Sequence, residues 1–128
     1  MQKESKEQER LFTWAKFATG KYPELEFLYH VPNGGSRNSI EGANLKKQGV
    51  KRGVPDIQLD VSRCGYHGLR IELKTTKGKV STFQREWLSF LSYQGYYATV
   101  CYGWEQARNV IIDYLEGSVN LDKHLSIS

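Results

Sequence analysis

Asp56, Glu72 and Lys74 are the residues of this chain whose types and spacing could do chemistry. Glu72 and Lys74 stand two apart in the alternating run LRIELKT, so on a strand both side chains project from one face. Asp56 has the matching parity in the run VPDIQLDV. If the two runs pair as a hairpin, Asp56 lies across from Glu72 and two carboxylates share a patch with one ammonium group. Carboxylates that close repel each other unless a cation sits between them. A hard divalent ion, Mg²⁺ or Mn²⁺, suits oxygen ligands and keeps several waters. Such an ion binds a phosphate oxygen and activates water for in-line attack on phosphorus. Lys74 could orient or deprotonate that water, or neutralise charge developing on phosphorus. The competing reading is a surface ion pair between Glu72 and Lys74, with Asp56 unrelated. The G-V-P-D stretch upstream, on a strand of the same parity, favours chemistry. Pro55 lacks an N–H and fits a strand start or edge.

These residues need elements to position them. Residues 4–19 read as an amphipathic helix with Leu11, Phe12, Ala15 and Ala18 on its apolar face, Ser5 as a cap and Gly20 and Pro23 at its end. Residues 26–31 (EFLYHV) are aromatic and β-prone and read as a strand or extended segment. A turn-rich PNGGSRNS loop follows, then a short helix over 39–48 closed by Gly49. Residues 54–61 and 69–75 are alternating strands joined by the hairpin-like SRCGYHG. Residues 81–94 form a helix with Ser81 as N-cap, Phe83, Trp87, Leu88 and Leu91 as its apolar stripe, and Gly95 as its stop. A buried-type strand over 96–102 and a last helix over 104–115 complete the order. The expectation is an α/β (α+β) fold, a small mixed central sheet flanked by helices, as a single domain over residues 1–128.

Composition agrees with this reading. Apolar residues make up 39% of the 128 and charged residues 25%, the balance of a globular domain. No apolar run reaches the roughly 18 residues of a membrane span, and the polar MQKESKEQER start carries no signal-peptide core, so a cytoplasmic protein is expected. Cys64 and Cys101 lack metal-ligand spacing and read as free thiols, Cys101 within the core. Net charge is +4 and the pI about 9.1, a mild bias toward a polyanionic partner. KKQGVKR places four cations just before Asp56.

Taken together, GVPD, IELK and a Ser-x-x-Gln helix (Ser81, Gln84) followed by Trp87, Leu91 and Gly95 resemble the virus-type replication-repair nuclease (VRR-NUC) domain family, a branch of the PD-(D/E)XK nuclease superfamily. The likeness runs from Glu4 to about Leu115 and takes in the ESKEQ start, the HVPNGG loop and LKKQGVKRGVPD. It implies a restriction-endonuclease-like core. It implies that Asp56, Glu72 and the backbone carbonyl of Leu73 hold Mg²⁺ or Mn²⁺, that Lys74 is the catalytic lysine, and that Gln84 reaches toward the site. The first helix would add a carboxylate acting on the metal through water: Glu4, paired with Gln8 in the E-S-x-x-Q pattern, or its rival Glu7. Arg37, Lys46, Lys47, Lys51, Arg52, Lys77 and Lys79 are candidates for holding the nucleic-acid backbone. His30, in HVPNGG, reads as structural or DNA-facing rather than as a general base. Core packing is the expectation for Trp14, Trp87 and Trp104.

The resemblance further implies a metal-dependent DNA endonuclease of the small phage type. It would be a homodimer that acts on branched DNA such as four-way (Holliday) junctions in DNA repair, without a membrane or a small-molecule cofactor. Two alternatives stand beside it: a non-catalytic nucleic-acid-binding module on the same fold, and a sequence-specific restriction-like endonuclease. The presence of all three central residues argues against the first, and the short chain leaves little room for the recognition elements of the second.

Overall fold

The computed structural model describes residues 2–32 and 39–119. Arg37 and His124 lie outside the described residues. The elements are helix α1 (Gln2–Ala18), a 3₁₀ turn (Pro23–Phe27), strand β1 (Tyr29–His30), helix α2 (Ser39–Lys47), strands β2 (Ile57–Leu59) and β3 (Leu69–Lys74), helix α3 (Thr82–Tyr93), strand β4 (Tyr97–Tyr102) and helix α4 (Trp104–Leu115). The strands form one mixed sheet in the order β1-β2-β3-β4. β1, β2 and β3 pair antiparallel, and β4 runs parallel to β3. A parallel neighbour needs a crossover, and α3 supplies it.

Three layers follow from the side-chain pattern. Leu69, Ile71 and Leu73 are nearly fully buried, with Ile57 and Leu59 of β2, against Leu11 and Ala15 of α1 and Ala107, Ile111 and Tyr114 of α4. Each buried Leu or Ile among them contributes about 1.5–3 kcal/mol relative to exposure. The Tyr114 hydroxyl donates to Val61 O at 2.6 Å, so this bulky core ring keeps its polar end satisfied. On the opposite face of the sheet, Leu88 and Leu91 of α3 cover Ala98, with Trp87 and Val100 partly buried beside them. Both faces of β3 are therefore covered, and Glu72 and Lys74, on its α3 side, are buried rather than solvated. Cys64 and Cys101 are free thiols, and burial pushes the Cys101 thiol up to about 12.

The departures from the sequence reading have local causes. Helix α1 is already running at Gln2, so Ser5 lies inside its first turns and is not its cap. Residues 26–31 give only a two-residue strand, because Leu25 and Leu28 are buried three apart, the period of the 3₁₀ turn that Pro23 starts. The strand expected over 54–61 shortens to Ile57–Leu59. Pro55 offers no N–H there, and the Leu73 N–H of β3 bonds instead to the Asp56 carboxylate at 2.9 Å. Phe83, placed in the apolar stripe of α3, is 49% exposed.

Gly53 fastens the loop before Asp56 to the first turn of α3. Its φ is +87°, and a methyl group there would meet Phe83 C at 2.5 Å and Gln84 N at 2.8 Å. Gly49, which closes α2 with φ +96°, has nothing within 4 Å of such a group. Gly49→Ala should therefore cost only the backbone strain, about 1 kcal/mol. Gly53→Ala should cost more than that, roughly 2–4 kcal/mol, because α3 must also move. Urea unfolding of the two variants checks this; equal losses would mean that the close approach does not matter.

Candidate active site

The β2–β3 register pairs Ile57 with Ile71 and Gln58 with Arg70. Carried one step further, it sets Asp56 opposite Glu72, where the two strands part. Asp56 turns its carboxylate into that gap. One oxygen accepts from Leu73 N, and the other accepts from Gln8 Nε2 of α1 at 2.7 Å. Glu72 projects toward α3 and accepts from Gln84 Nε2 at 3.0 Å. Gln84 is held at both ends. Its Oε1 accepts from Ser81 N at 2.8 Å while its own N–H donates to Ser81 Oγ at 3.1 Å, a capping box at the start of α3. Lys74 Nζ stands 3.9 Å from Glu72 Oε2.

Asp56, Glu72 and Lys74 are 8%, 5% and 8% exposed, so their charges interact with little screening by water. Burial, followed by the nearby Asp56 charge, pushes the Glu72 carboxyl up to about 8; Lys74 opposes the shift and Glu4 adds to it. Burial also raises Asp56, against the hydrogen bonds from Leu73 and Gln8 and the charge of His30. The pair is thus short of positive charge.

The donors present fit a hard divalent cation. Among the described residues no three His, Cys, Asp or Glu side chains cluster as a metal site. Two carboxylates do not require a third, because Mg²⁺ and Mn²⁺ retain waters and accept carbonyl oxygens. In an extended strand the N–H and C=O of one residue point to the same edge. The Leu73 carbonyl therefore lies on the edge where its N–H meets Asp56.

The two candidates on α1 are separated by what they touch. Glu7 Oε1 accepts from Trp104 N at 2.8 Å, and its other oxygen is 3.5 Å from Arg10. It closes the start of α4, where the backbone donors of a helix otherwise lack partners. Glu4 is the one whose charge reaches Glu72. Gln8, which the sequence marked only as the glutamine of the E-S-x-x-Q pattern, four residues after Glu4 on the same helix face, gains its role from the contact with Asp56.

The cations are more dispersed. Lys46 and Lys47 end α2, Lys51 and Arg52 follow it, and Lys77 and Lys79 follow β3; all six are exposed. The Arg52 guanidinium lies 5.5 Å from the centre of the Phe83 ring, next to Gln84. His30 is exposed on β1, and its charge opposes the rise of Asp56.

A mixed sheet whose adjacent strands bring an aspartate and an E-x-K triplet to one edge, with a glutamine from the crossover helix, has the architecture of a nuclease core. The VRR-NUC domain model matches residues 2–105. A solved structure described as a VRR_NUC domain protein superposes with a TM-score of 0.78 at 33% identity, covering 89% of this chain and 88% of its own. No curated protein matches. The chain belongs to the VRR-NUC family, a family of nucleases.

Between pH 4.5, the ordinary value for this group, and about 8, native Glu72 holds a proton that the unfolded chain has released. Its contribution therefore erodes stability as pH rises through that window. Glu72→Gln, which can still accept from Gln84, should match the parent near pH 4 in EDTA. At pH 8 it should exceed the parent by on the order of a few kcal/mol. Denaturant midpoints across pH measure the difference; a Glu72→Gln variant less stable than the parent at pH 8 would refute the buried-charge account.

Proposed function

We propose that this protein is a metal-dependent DNA endonuclease that hydrolyses phosphodiester bonds. The observation that supports this most is the buried convergence of Asp56 and Glu72, a carboxylate pair that the single cation beside it, Lys74, offsets only in part. Asp56, Glu72 and the Leu73 carbonyl would hold Mg²⁺ or Mn²⁺, with Glu4 contributing through water. When bound, such an ion supplies Lewis-acid polarisation of the phosphate and a more acidic water.

The chain's own groups do the rest. Asp56 is fixed by Leu73 N and Gln8, so its carboxylate is positioned before substrate arrives. Gln84 holds Glu72 in the same way. Lys74 brings a cation to the reacting phosphate, to orient or deprotonate the water or to offset charge on phosphorus. Lys51, Arg52, Lys77 and Lys79 flank the carboxylates along the chain and would hold the DNA backbone without reading its sequence. Lys46 and Lys47 extend this basic run, and Arg37, outside the described residues, is proposed to join it. Among the described residues no helix is long and apolar enough to cross a membrane.

The finer reading is a homodimer selective for branched DNA such as four-way junctions. Paired sites related by a two-fold axis would suit paired cuts in a two-fold substrate. This reading rests on likeness to the family.

Asp56→Ala and Lys74→Ala should each lower cleavage by roughly a hundredfold or more, with DNA affinity within about threefold of the parent. Supercoiled plasmid, linear duplex, flap and four-way junction, each with Mg²⁺, Mn²⁺ or EDTA, form the test panel. Cleavage that persists in EDTA, or none on any substrate with either metal, would overturn the assignment.

A further inference from the structure

A groove of about 470 Å³ opens beside the carboxylate site, on the same face of the sheet. Its floor is Val100 and Tyr102 of β4; its walls are Arg85, Leu88 and Ser89 of α3 and the segment around Lys79. The register makes it continuous with the site. Glu72 pairs with Val100 and Lys74 with Tyr102, and paired residues of parallel strands face the same way. Gly78 belongs to both regions: it lines the groove, and a methyl group on it would lie 3.2 Å from Lys74 Cδ. On α3, Gln84 holds Glu72 while the next residue, Arg85, faces the groove.

The lining is selective in its chemistry. Two cations, Lys79 and Arg85, belong to the walls, no carboxylate among the described residues lines the groove, and the rest of the lining is apolar apart from hydroxyls. Tyr102 is 40% exposed, and its backbone N–H is tied to Gln106 Oε1 at 2.8 Å, which fixes the ring's base at the sheet edge. Cations flanking an exposed aromatic ring over an apolar floor match an unpaired nucleotide, with its phosphate on the cations and its base on the ring. Paired bases in a duplex are already stacked and cannot enter.

We infer that this groove is a subsite that receives an unpaired nucleotide adjoining the scissile phosphate. The inference rests on the nuclease reading and adds this subsite to it. Tyr102 is the stacking platform, and Lys79 and Arg85 hold the backbone.

The test uses the full chain, a blunt duplex, and the same duplex with a short unpaired tail carrying 2-aminopurine, with binding followed by anisotropy in EDTA. The parent should bind the tailed DNA roughly tenfold more tightly than the blunt DNA and quench the 2-aminopurine. Tyr102→Ala should lose the preference and the quenching while keeping blunt-duplex affinity within about twofold; Tyr102→Phe should retain both. Arg85→Ala, at an exposed position, should weaken tailed binding more than blunt-duplex binding and flatten the salt dependence of the former. No tail preference in the parent, a preference that survives in Tyr102→Ala, or equal weakening toward both DNAs would each overturn the groove assignment. Absence of cleavage with Mg²⁺ or Mn²⁺ bears on the nuclease reading alone, because tail preference is measured without catalysis.

Discussion

At the point where β2 and β3 separate, the Leu73 N–H donates to a side chain instead of to a neighbouring strand. Pro55 and the shortness of β2 create that gap, and the Asp56 carboxylate fills it. Once Asp56 is seated there, Glu72 must face it across the register, and the two acids come together under the cover of α3 and α1. Burying carboxylates costs heavily unless they are neutralised or paired. Lys74 at 3.9 Å compensates only in part, and the raised Glu72 shows the remainder. Such a pair is an unfavourable charge arrangement that a bound cation would relieve.

The rest of the molecule holds this arrangement in place from several directions. Gly53 docks the approach to Asp56 on α3, whose first residues include the Gln84 that holds Glu72. Gln8 reaches Asp56 from α1, and the same helix sends Glu7 to the start of α4. The Gly103 N–H, at that start, donates to Lys74 O at 2.7 Å and so fixes the end of β3. Ends of three helices thus meet at one end of the sheet, each tied to the strand that carries the E-x-K triplet or to the aspartate beside it. Side chains held by such partners lose little further freedom on binding substrate, which is the condition for electrostatic catalysis.

Much of this was legible in the sequence, and the reasons are specific. Alternation made 69–75 a strand, and the apolar stripe and Ser81 cap marked α3, because both patterns register burial directly. Parity set Asp56 beside Glu72. Burial of the acidic face was not legible, since an alternating strand reads as half solvated and only the crossover helix covers its second side. The 3₁₀ turn at Pro23–Phe27 was hidden by the β-propensity of an aromatic run. Glu4 and Glu7 could not be told apart from spacing alone, and the partner that engages Glu7, the start of α4, lies 97 residues along the chain. The role of Gln8 depended likewise on a partner 48 residues away.

Whether Asp56 and Glu72 form one cation site is decided by titration of the protein with Mn²⁺, followed by calorimetry and by the loss of the free-ion electron paramagnetic resonance signal. Saturable binding is expected, abolished by Asp56→Asn or Glu72→Gln and unchanged by Glu7→Gln at the start of α4. Absence of binding to the parent protein, or binding that survives loss of both acids, would contradict a shared site.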